Sequence, residues 1–247
     1  MTNPDFVIFA SGGNDSVALV AFAEQKGLKN VIVCFSDTGW ASPEWPERIE
    51  RFATYVDRCG FDFVSINSEG FLNLAIRKKG FPANKPKFCT YELKIKPAMA
   101  WLEEVDPDKE AICMVGVRRE ESPARAQWPV TISESANHGG RELWSPLAMV
   151  REAERDALIL TSGLPILPHR SKECSPCVNS NRADFRRLGE IDIKKVEDAE
   201  ELIGKPMFRV QRFMGANGIR EVIRWAESDR GKYSSEPPEC DSGMCGG

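Results

Sequence analysis

Ser11-Gly12-Gly13-Asn14-Asp15-Ser16 is the most informative stretch of this sequence. The apolar run at residues 6–10 precedes it, and a segment with helical periodicity at residues 15–25 follows it. A short apolar run predicts a buried strand, and the periodic segment predicts a helix. Two glycines let the backbone between them adopt positive φ and approach a ligand closely. N–H groups at a helix N-terminus attract anions, so the stretch predicts a phosphate-binding turn.

The same alternation of apolar runs and periodic segments continues outward from this turn. Further apolar runs predict strands at residues 31–35, 61–66 and 111–117, and periodic segments predict helices at 46–58 and 92–105. Continuous apolar strands separated by helices are typical of a parallel sheet with helices on both faces. We therefore predict an α/β domain over residues 1–150.

Helical patterns dominate the rest of the chain, at residues 151–160, 182–188, 196–203 and 218–226. The tail from residue 234 is rich in Ser, Pro and Gly, which favours a loop or an extended arm. We predict a helical, cysteine-bearing region over residues 151–247.

Composition excludes several classes of protein. The 247 residues are 42% apolar and 28% charged, as in folded globular proteins. A net charge of −4 argues against a cationic nucleic-acid coat protein but leaves a local basic groove open. No apolar run approaches the ~20 residues that span a bilayer, and the N-terminus lacks the basic start of a signal peptide, so we expect a cytoplasmic protein without membrane contact. With only His138 and His169, a multi-histidine metal site is excluded.

The hexapeptide has two chemical interpretations on its own residues. In the first, the Ser11 and Ser16 hydroxyls add hydrogen-bond donors to the turn, and Asp15 holds Mg²⁺ between phosphates. In the second, it is a glycine turn with a Ser/Asp helix cap and no ligand. A Walker A loop is excluded because the Gly-Lys-Ser/Thr that would complete it is missing.

Several segments together resemble a known family. The hexapeptide resembles the SGGxDS loop of the PP-loop ATP pyrophosphatases, a superfamily with the adenine nucleotide alpha hydrolase-like fold. The other segments resemble motifs of the phosphoadenosine phosphosulfate (PAPS) reductase family within it. They are Asp37-Thr38-Gly39 with Pro43-Glu44, residues 88–97 (FCTYELKIKP), residues 116–125 (GVRREESPAR) and Trp144-Ser145-Pro146-Leu147. The pattern is also similar to the ATP pyrophosphatases of DNA phosphorothioate modification and to PAPS reductase-like phage proteins.

The resemblance implies an adenine nucleotide at the carboxyl edge of the sheet, where open α/β sheets bind their ligands. It implies that nucleotide-binding residues are Ser11, Gly12, Gly13, Asn14, Asp15, Ser16, Asp37, Thr38, Gly39, Gly116, Arg118 and Arg119. Among these, Asp15, Ser16, Asp37 and Arg118 are the expected catalytic residues. The implied ligands are ATP and Mg²⁺.

Eight cysteines in a reducing compartment predict metal ligands, redox thiols or core residues rather than disulfides. Cys174 and Cys177 have metal-ligand spacing, and the tail adds Cys240 and Cys245. In the related adenosine phosphosulfate reductases, a Cys-Cys pair in the segment of Cys89 joins a C-x-x-C pair to hold a [4Fe–4S] cluster. Here Thr90 replaces the second member, so we favour a [4Fe–4S] or Zn²⁺ site of Cys89, Cys174, Cys177 and one tail cysteine. A redox dithiol and free thiols remain alternatives.

Two chemistries share these motifs. The intact loop favours an ATP pyrophosphatase that cleaves ATP to AMP and pyrophosphate by adenylating an acceptor oxygen for sulfur incorporation, with a DNA phosphate as one candidate acceptor. Glu239-Cys240 keeps a PAPS reductase open, in which a tail cysteine releases sulfite, although the Gly-[IL]-His that should follow is absent. A nucleotide-binding scaffold with a structural metal is the alternative from another class.

The sequence names candidate partners without fixing them. A sulfur donor resembling a cysteine desulfurase, DNA and a second copy of the chain all remain open. Basic residues at positions 77–96 and at 182, 186 and 187 suit a polyanion, but they suit an ordinary solvated face equally well.

Overall fold

The structure, a computed structural model, describes residues 3–83, 86–208 and 217–229. Cys240 and Cys245 therefore lie outside the described residues. The described part is built on a six-stranded sheet in the order β3-β2-β1-β4-β6-β5. The strands are β1 (Phe6–Ala10), β2 (Val31–Asp37), β3 (Asp62–Asn67), β4 (Ile112–Val115), β5 (Thr131–Ser135) and β6 (Arg141–Trp144).

Five of the strands run parallel, and β5 pairs with β6 in the antiparallel sense. The four predicted strands are confirmed, because their apolar runs lie in the sheet as β1 to β4. The β5–β6 pair was not predicted. Its sequence is largely polar, and much of β5 is exposed at the edge of the sheet.

Helices cover both faces of the sheet, as predicted. Their bounds are α1 (Asn14–Gln25), α2 (Trp45–Arg58), α3 (Phe71–Arg77), α4 (Phe88–Thr90), α5 (Lys96–Val105), α6 (Glu152–Ser162), α7 (Arg182–Arg186), α8 (Glu190–Ile203) and α9 (Ile219–Glu227). A π-helical turn, Tyr91–Ile95, joins α4 to α5. The helix predicted at residues 92–105 is therefore irregular at its start, and α3 was not predicted.

Three apolar clusters hold these layers together. One packs α1, α2 and α6 on one face of the sheet around Leu19, Phe52 and Ile159. Another packs α5 on the opposite face around Leu102 and Cys113. The third joins α3 to the C-terminal helices α7, α8 and α9, with Trp40 at its border. No helix within the described ranges is long and apolar enough to cross a bilayer.

Candidate active site

The phosphate turn, defined as residues 11–16, lies between the end of β1 and the start of α1. Gly12 has φ of +74°, and a Cβ there would lie 2.5 Å from Ile49 Cδ1. Gly13 caps α1 without a side-chain hydrogen bond. Because the first amides of a helix have no carbonyl partner within it, the turn presents free N–H donors. The backbone therefore has the form that an anion-binding turn requires.

Two serine hydroxyls close this turn. The Ser11 amide donates to Ser16 Oγ at 2.9 Å, and the two hydroxyl oxygens lie 3.3 Å apart. Both side chains are buried at the same end of α1. The structure thus brings the two predicted hydroxyl donors to one point beside the free amides.

Asp15 forms a buried ion pair with Arg118, which follows the end of β4. Arg118 Nε lies 2.6 Å from Asp15 Oδ1, and both side chains are almost wholly buried. Among the described residues, no hydrogen bond engages the second carboxylate oxygen. Burial, together with the nearby charge of Glu121, raises the pKa of Asp15 to about 6 against the opposing effect of Arg118. Proximity to a cation or a metal ion favours the ionised form of such a group.

Gly116 explains how β4 comes so close to the turn. A Cβ at this position would lie 3.0 Å from the Asp15 carbonyl oxygen. Only a glycine leaves room for the backbone here, so Gly116 acts through close packing. The guanidinium of Arg119 lies elsewhere: its Nε donates to the Trp128 carbonyl at 2.8 Å. Arg118 rather than Arg119 reaches the phosphate turn.

The end of β2 carries the second set of predicted nucleotide-binding residues. Asp37 Oδ1 accepts a hydrogen bond of 2.8 Å from the Gly39 amide, and Gly39 has φ of +61°. Thr38 is buried, and its hydroxyl donates to the Glu173 carbonyl at 3.2 Å. Since β2 lies beside β1, these residues share one edge of the sheet with the phosphate turn.

A segment we call the strap, residues 165–177, runs along this edge. The Asn14 side chain both donates to the Leu167 carbonyl and accepts from the Leu167 amide, each at 2.9 Å. The Ser171 hydroxyl donates to the Ser11 carbonyl at 3.3 Å. The Asn14 side chain, predicted to bind nucleotide, is thus directed at the strap. No sequence pattern predicts this contact, because its partners are 153 positions apart.

Arg48 ties the strap to the turn from the other side. Its Nε donates to the Gly12 carbonyl at 3.2 Å, and its Nη1 donates to the Pro165 carbonyl at 3.1 Å. Arg48 was not among the predicted site residues, since a lone arginine in a helical pattern is usually a solvated residue. Here it is buried.

The strap ends at the cysteines. Cys174 and Trp40 form an isolated parallel β-bridge, and the Ser175 amide donates to the Trp40 carbonyl at 2.8 Å. Cys89, Cys174 and Cys177 are all half-buried against the same apolar cluster. Three of the predicted thiols are therefore brought into one neighbourhood beside the sheet edge that carries the phosphate turn.

The three thiols differ in the direction in which their surroundings shift the pKa. The hydrogen bond from Cys174, assisted by the charge of Arg170, lowers the pKa of Cys177 to about 6 despite burial. That same hydrogen bond and burial raise the pKa of Cys174, while burial raises the pKa of Cys89 to about 11. A buried ion pair of 2.5 Å between Lys94 and Glu173 lies beside these thiols.

The thiols suit a soft metal by their chemistry, since Zn²⁺ and iron–sulfur clusters both take thiolates. Within the described ranges, however, no three His, Cys, Asp or Glu side chains are arranged to hold a metal ion. The predicted fourth ligand falls on Cys240 or Cys245, outside those ranges. Cys34 and Cys113 are buried in the sheet and lie apart from these thiols.

Much of the basic charge noted in the sequence is locally paired. Arg77 and Lys78 both pair with Glu92. Arg182 and Arg186 donate to the Ala226 carbonyl at the end of α9, at 2.9 and 2.6 Å. These contacts reduce the case for a long cationic groove along α3 or α7.

Comparisons with known proteins agree with the motifs. A profile of the phosphoadenosine phosphosulfate reductase domain matches residues 5–195. An uncharacterised 37.8 kDa protein of Escherichia phage 186 is 31% identical over 254 aligned positions, which cover 80% of this chain and 75% of the phage protein. An uncharacterised protein of Methanocaldococcus jannaschii is 28% identical over 123 positions, which cover 50% of this chain and 24% of that protein.

Similar solved structures are more distant. A PAPS reductase from Candida auris in a phosphate complex has a TM-score of 0.46 at 17% identity, covering 67% of this chain and 75% of that one. The U34-tRNA thiolase NcsA from Methanococcus maripaludis has a TM-score of 0.46 at 14% identity, covering 92% and 82%. The assignment depends on the profile, which spans most of the sequence, and on the phage relative. The chain belongs to the phosphoadenosine phosphosulfate reductase domain family.

Proposed function

We propose that the chain is an ATP pyrophosphatase that adenylates an acceptor oxygen and so prepares that oxygen for replacement by sulfur. The observation that carries this proposal is the intact phosphate turn, with free helix amides, two converging hydroxyls and the Asp15–Arg118 pair at one point. A reductase needs to bind its nucleotide but does not need to stabilise departing pyrophosphate. The turn offers donors for such a leaving group.

In the proposed reaction, the acceptor oxygen attacks the α-phosphorus of ATP in line. A bond forms between that oxygen and phosphorus, the bond from phosphorus to the α,β-bridging oxygen breaks, and pyrophosphate leaves with the bond electrons. The amides of the turn and the Ser11 and Ser16 hydroxyls hold the β- and γ-phosphates in place. Arg118 stabilises the charge that develops on the bridging oxygen.

We assign Asp15 as a ligand of Mg²⁺. This ion accompanies ATP and neutralises phosphate charge when bound. Asp15 Oδ1 is held by Arg118 Nε, so the orientation of the carboxylate is fixed before the ligand arrives. Its Oδ2 has no hydrogen bond among the described residues and is the oxygen offered to the ion.

Adenylation makes the acceptor oxygen a good leaving group. A sulfur nucleophile then forms its bond to the acceptor atom, and AMP departs with the former acceptor oxygen. The strap places the cysteines beside the nucleotide edge, which supports sulfur chemistry in the second step. We propose a [4Fe–4S] or Zn²⁺ site of Cys89, Cys174, Cys177 and Cys240 or Cys245, a desulfurase-like sulfur donor, and DNA as one candidate acceptor.

The competing proposal is a PAPS reductase, because the matching domain carries that name. Cys240 would attack sulfur in that case. A scaffold that binds ATP without cleaving it is the third candidate.

Product analysis separates these proposals. Anaerobically purified protein is incubated with ATP and Mg²⁺, and separately with PAPS and a thiol reductant, for wild type and Cys240→Ser. AMP and pyrophosphate from ATP are the expected products. Sulfite and adenosine bisphosphate from PAPS, lost in Cys240→Ser, would overturn the proposal in favour of a reductase. Tight ATP binding without AMP, across DNA and small phosphorylated acceptors, would favour the scaffold.

A further inference from the structure

A solvent-open cleft separates the strap from α7, on the side of the cysteines. It measures about 390 Å³ including its open mouth. Ser171 and Cys177 both line it, and the Ser171 hydroxyl donates to the Ser11 carbonyl of the phosphate turn. The cleft therefore adjoins both the site where ATP is proposed to bind and the thiols.

The charged lining of this cleft is predominantly cationic. Arg170, Lys172 and Arg187 line it together with one carboxylate, Asp184. Lys172 pairs with Glu44 outside the lining, whereas Arg187 forms no ion pair with any residue that the structure describes. Clefts lined by one sign of charge concentrate ligands of the opposite sign.

Arg170 adds a donor that the protein itself does not satisfy. Its Nη1 is inaccessible to solvent, makes no hydrogen bond within the described ranges and lies 3.9 Å from Asp184 Oδ2. Because its ion pair with Asp184 is long and no hydrogen bond to a described residue satisfies it, this nitrogen gains from a ligand oxygen that comes within hydrogen-bond distance. Planar guanidinium groups suit phosphate oxygens in particular.

We propose that this cleft binds the phosphate group of the acceptor, between the phosphate turn and Cys177, with Arg170 and Arg187 as its main donors. The identification of this phosphate group with the acceptor rests on the proposed function. The inference that the cleft binds an anion does not depend on it. A phosphodiester in nucleic acid and a small phosphorylated molecule share this chemistry. The position of the cleft places such a group beside both ATP and the thiol that faces it.

The test measures the binding of inorganic phosphate to the full-length protein by isothermal titration calorimetry. Saturating α,β-methylene-ATP occupies the phosphate turn, so that heat from added phosphate reports the cleft. Arg187→Gln removes an exposed guanidinium from the cleft, and Arg224→Gln is its charge-matched control on α9, where the side chain is 70% exposed. We expect Arg187→Gln to weaken phosphate binding about tenfold and Arg224→Gln to leave it unchanged.

A second arm identifies the source of the phosphate group. A fluorescein-labelled single-stranded oligonucleotide is titrated at several salt concentrations. Binding tighter than that of inorganic phosphate, with a salt slope reduced by about one in Arg187→Gln, indicates nucleic acid. Binding no tighter than phosphate indicates a small acceptor, and both results support the cleft.

The proposal is overturned when wild type shows no saturable phosphate binding, or when Arg187→Gln and Arg224→Gln behave alike. These readouts need no turnover. A protein that binds phosphate in the cleft but forms no AMP therefore refutes the proposed function and keeps the cleft. A protein that forms AMP but binds no phosphate in the cleft refutes the cleft proposal and leaves the proposed function standing.

Discussion

The phosphate turn and the cysteine site lie along one edge of the sheet, yet they are assembled in different ways. Six consecutive residues make the turn, and other parts of the chain support it through Arg48, Gly116, Arg118 and the strap. The cysteine site draws on α4, on the strap and on a tail outside the described residues. A site made by contiguous backbone carries its geometry in the sequence, whereas a site made by distant segments depends on packing.

After loss of the Asp15 carboxylate, the largest effect on AMP formation is expected at Gly12. Gly12→Ala places a Cβ 2.5 Å from Ile49 Cδ1 at φ of +74°, which displaces the amides of the turn. Losing an aligned donor costs roughly 100-fold or more in rate, so AMP formation is expected to fall by about that factor. Gly27→Ala is the matched control, because Gly27 has φ of +65° and open space around it. Equal losses of AMP formation in both variants would show that backbone strain alone is responsible.

A pH experiment tests whether acid sensitivity lies in the connection between β5 and β6, away from both sites. Burial and the charge of Arg141 lower the pKa of His138 to about 4 from the usual 6.5. The unfolded chain therefore binds the extra proton first, and stability falls as the pH drops from 6.5 towards 4. The loss from this residue is about 2 kcal/mol at pH 5.

His138→Gln should flatten this pH dependence in chemical denaturation between pH 7 and pH 5. His169→Gln is the matched substitution at the other histidine and controls for loss of an imidazole. An unchanged slope in His138→Gln would mean that other groups carry the acid sensitivity.

Asn14→Ala tests the link between the two regions. It removes both hydrogen bonds to Leu167, and we expect about a fivefold rise in the KM for ATP and faster alkylation of Cys177. Asn73→Ala is the control, since the one hydrogen bond of that exposed side chain to a described residue goes to the Glu69 carbonyl nearby. A rise in KM without any change in Cys177 alkylation would mean that Asn14 supports the turn but does not link it to the cysteine site.

The smallest effect on ATP cleavage is expected for Cys177→Ser. Because the turn is built without the cysteines, AMP formation should stay within about twofold of wild type while bound metal and sulfur transfer are lost. Cys59→Ser, outside the cysteine site, is the control. A loss of AMP formation in Cys177→Ser alone would show that the two regions act as one site.

Particular residues show what sequence reasoning reaches. The buried strands β1 to β4 were predictable because their apolar runs are unbroken, and the turn was predictable from its glycines and hydroxyls. β6 was missed because its Arg141 side chain is buried through a 2.5 Å ion pair with Asp106, a partner 35 positions away. The roles of Asn14 and Arg48 were invisible for the same reason: both bind strap carbonyls more than 100 positions distant.

We propose that the phosphate turn cleaves ATP between its α- and β-phosphates independently of the cysteines. The most direct measurement is the quantity of AMP and pyrophosphate formed from ATP and Mg²⁺ by wild type, Asp15→Asn and Cys177→Ser, with Asp198→Asn as the control for an exposed carboxylate. We predict AMP and pyrophosphate from wild type, Cys177→Ser and Asp198→Asn, and neither from Asp15→Asn. ADP and phosphate as the products, or AMP formation that persists in Asp15→Asn, would contradict it.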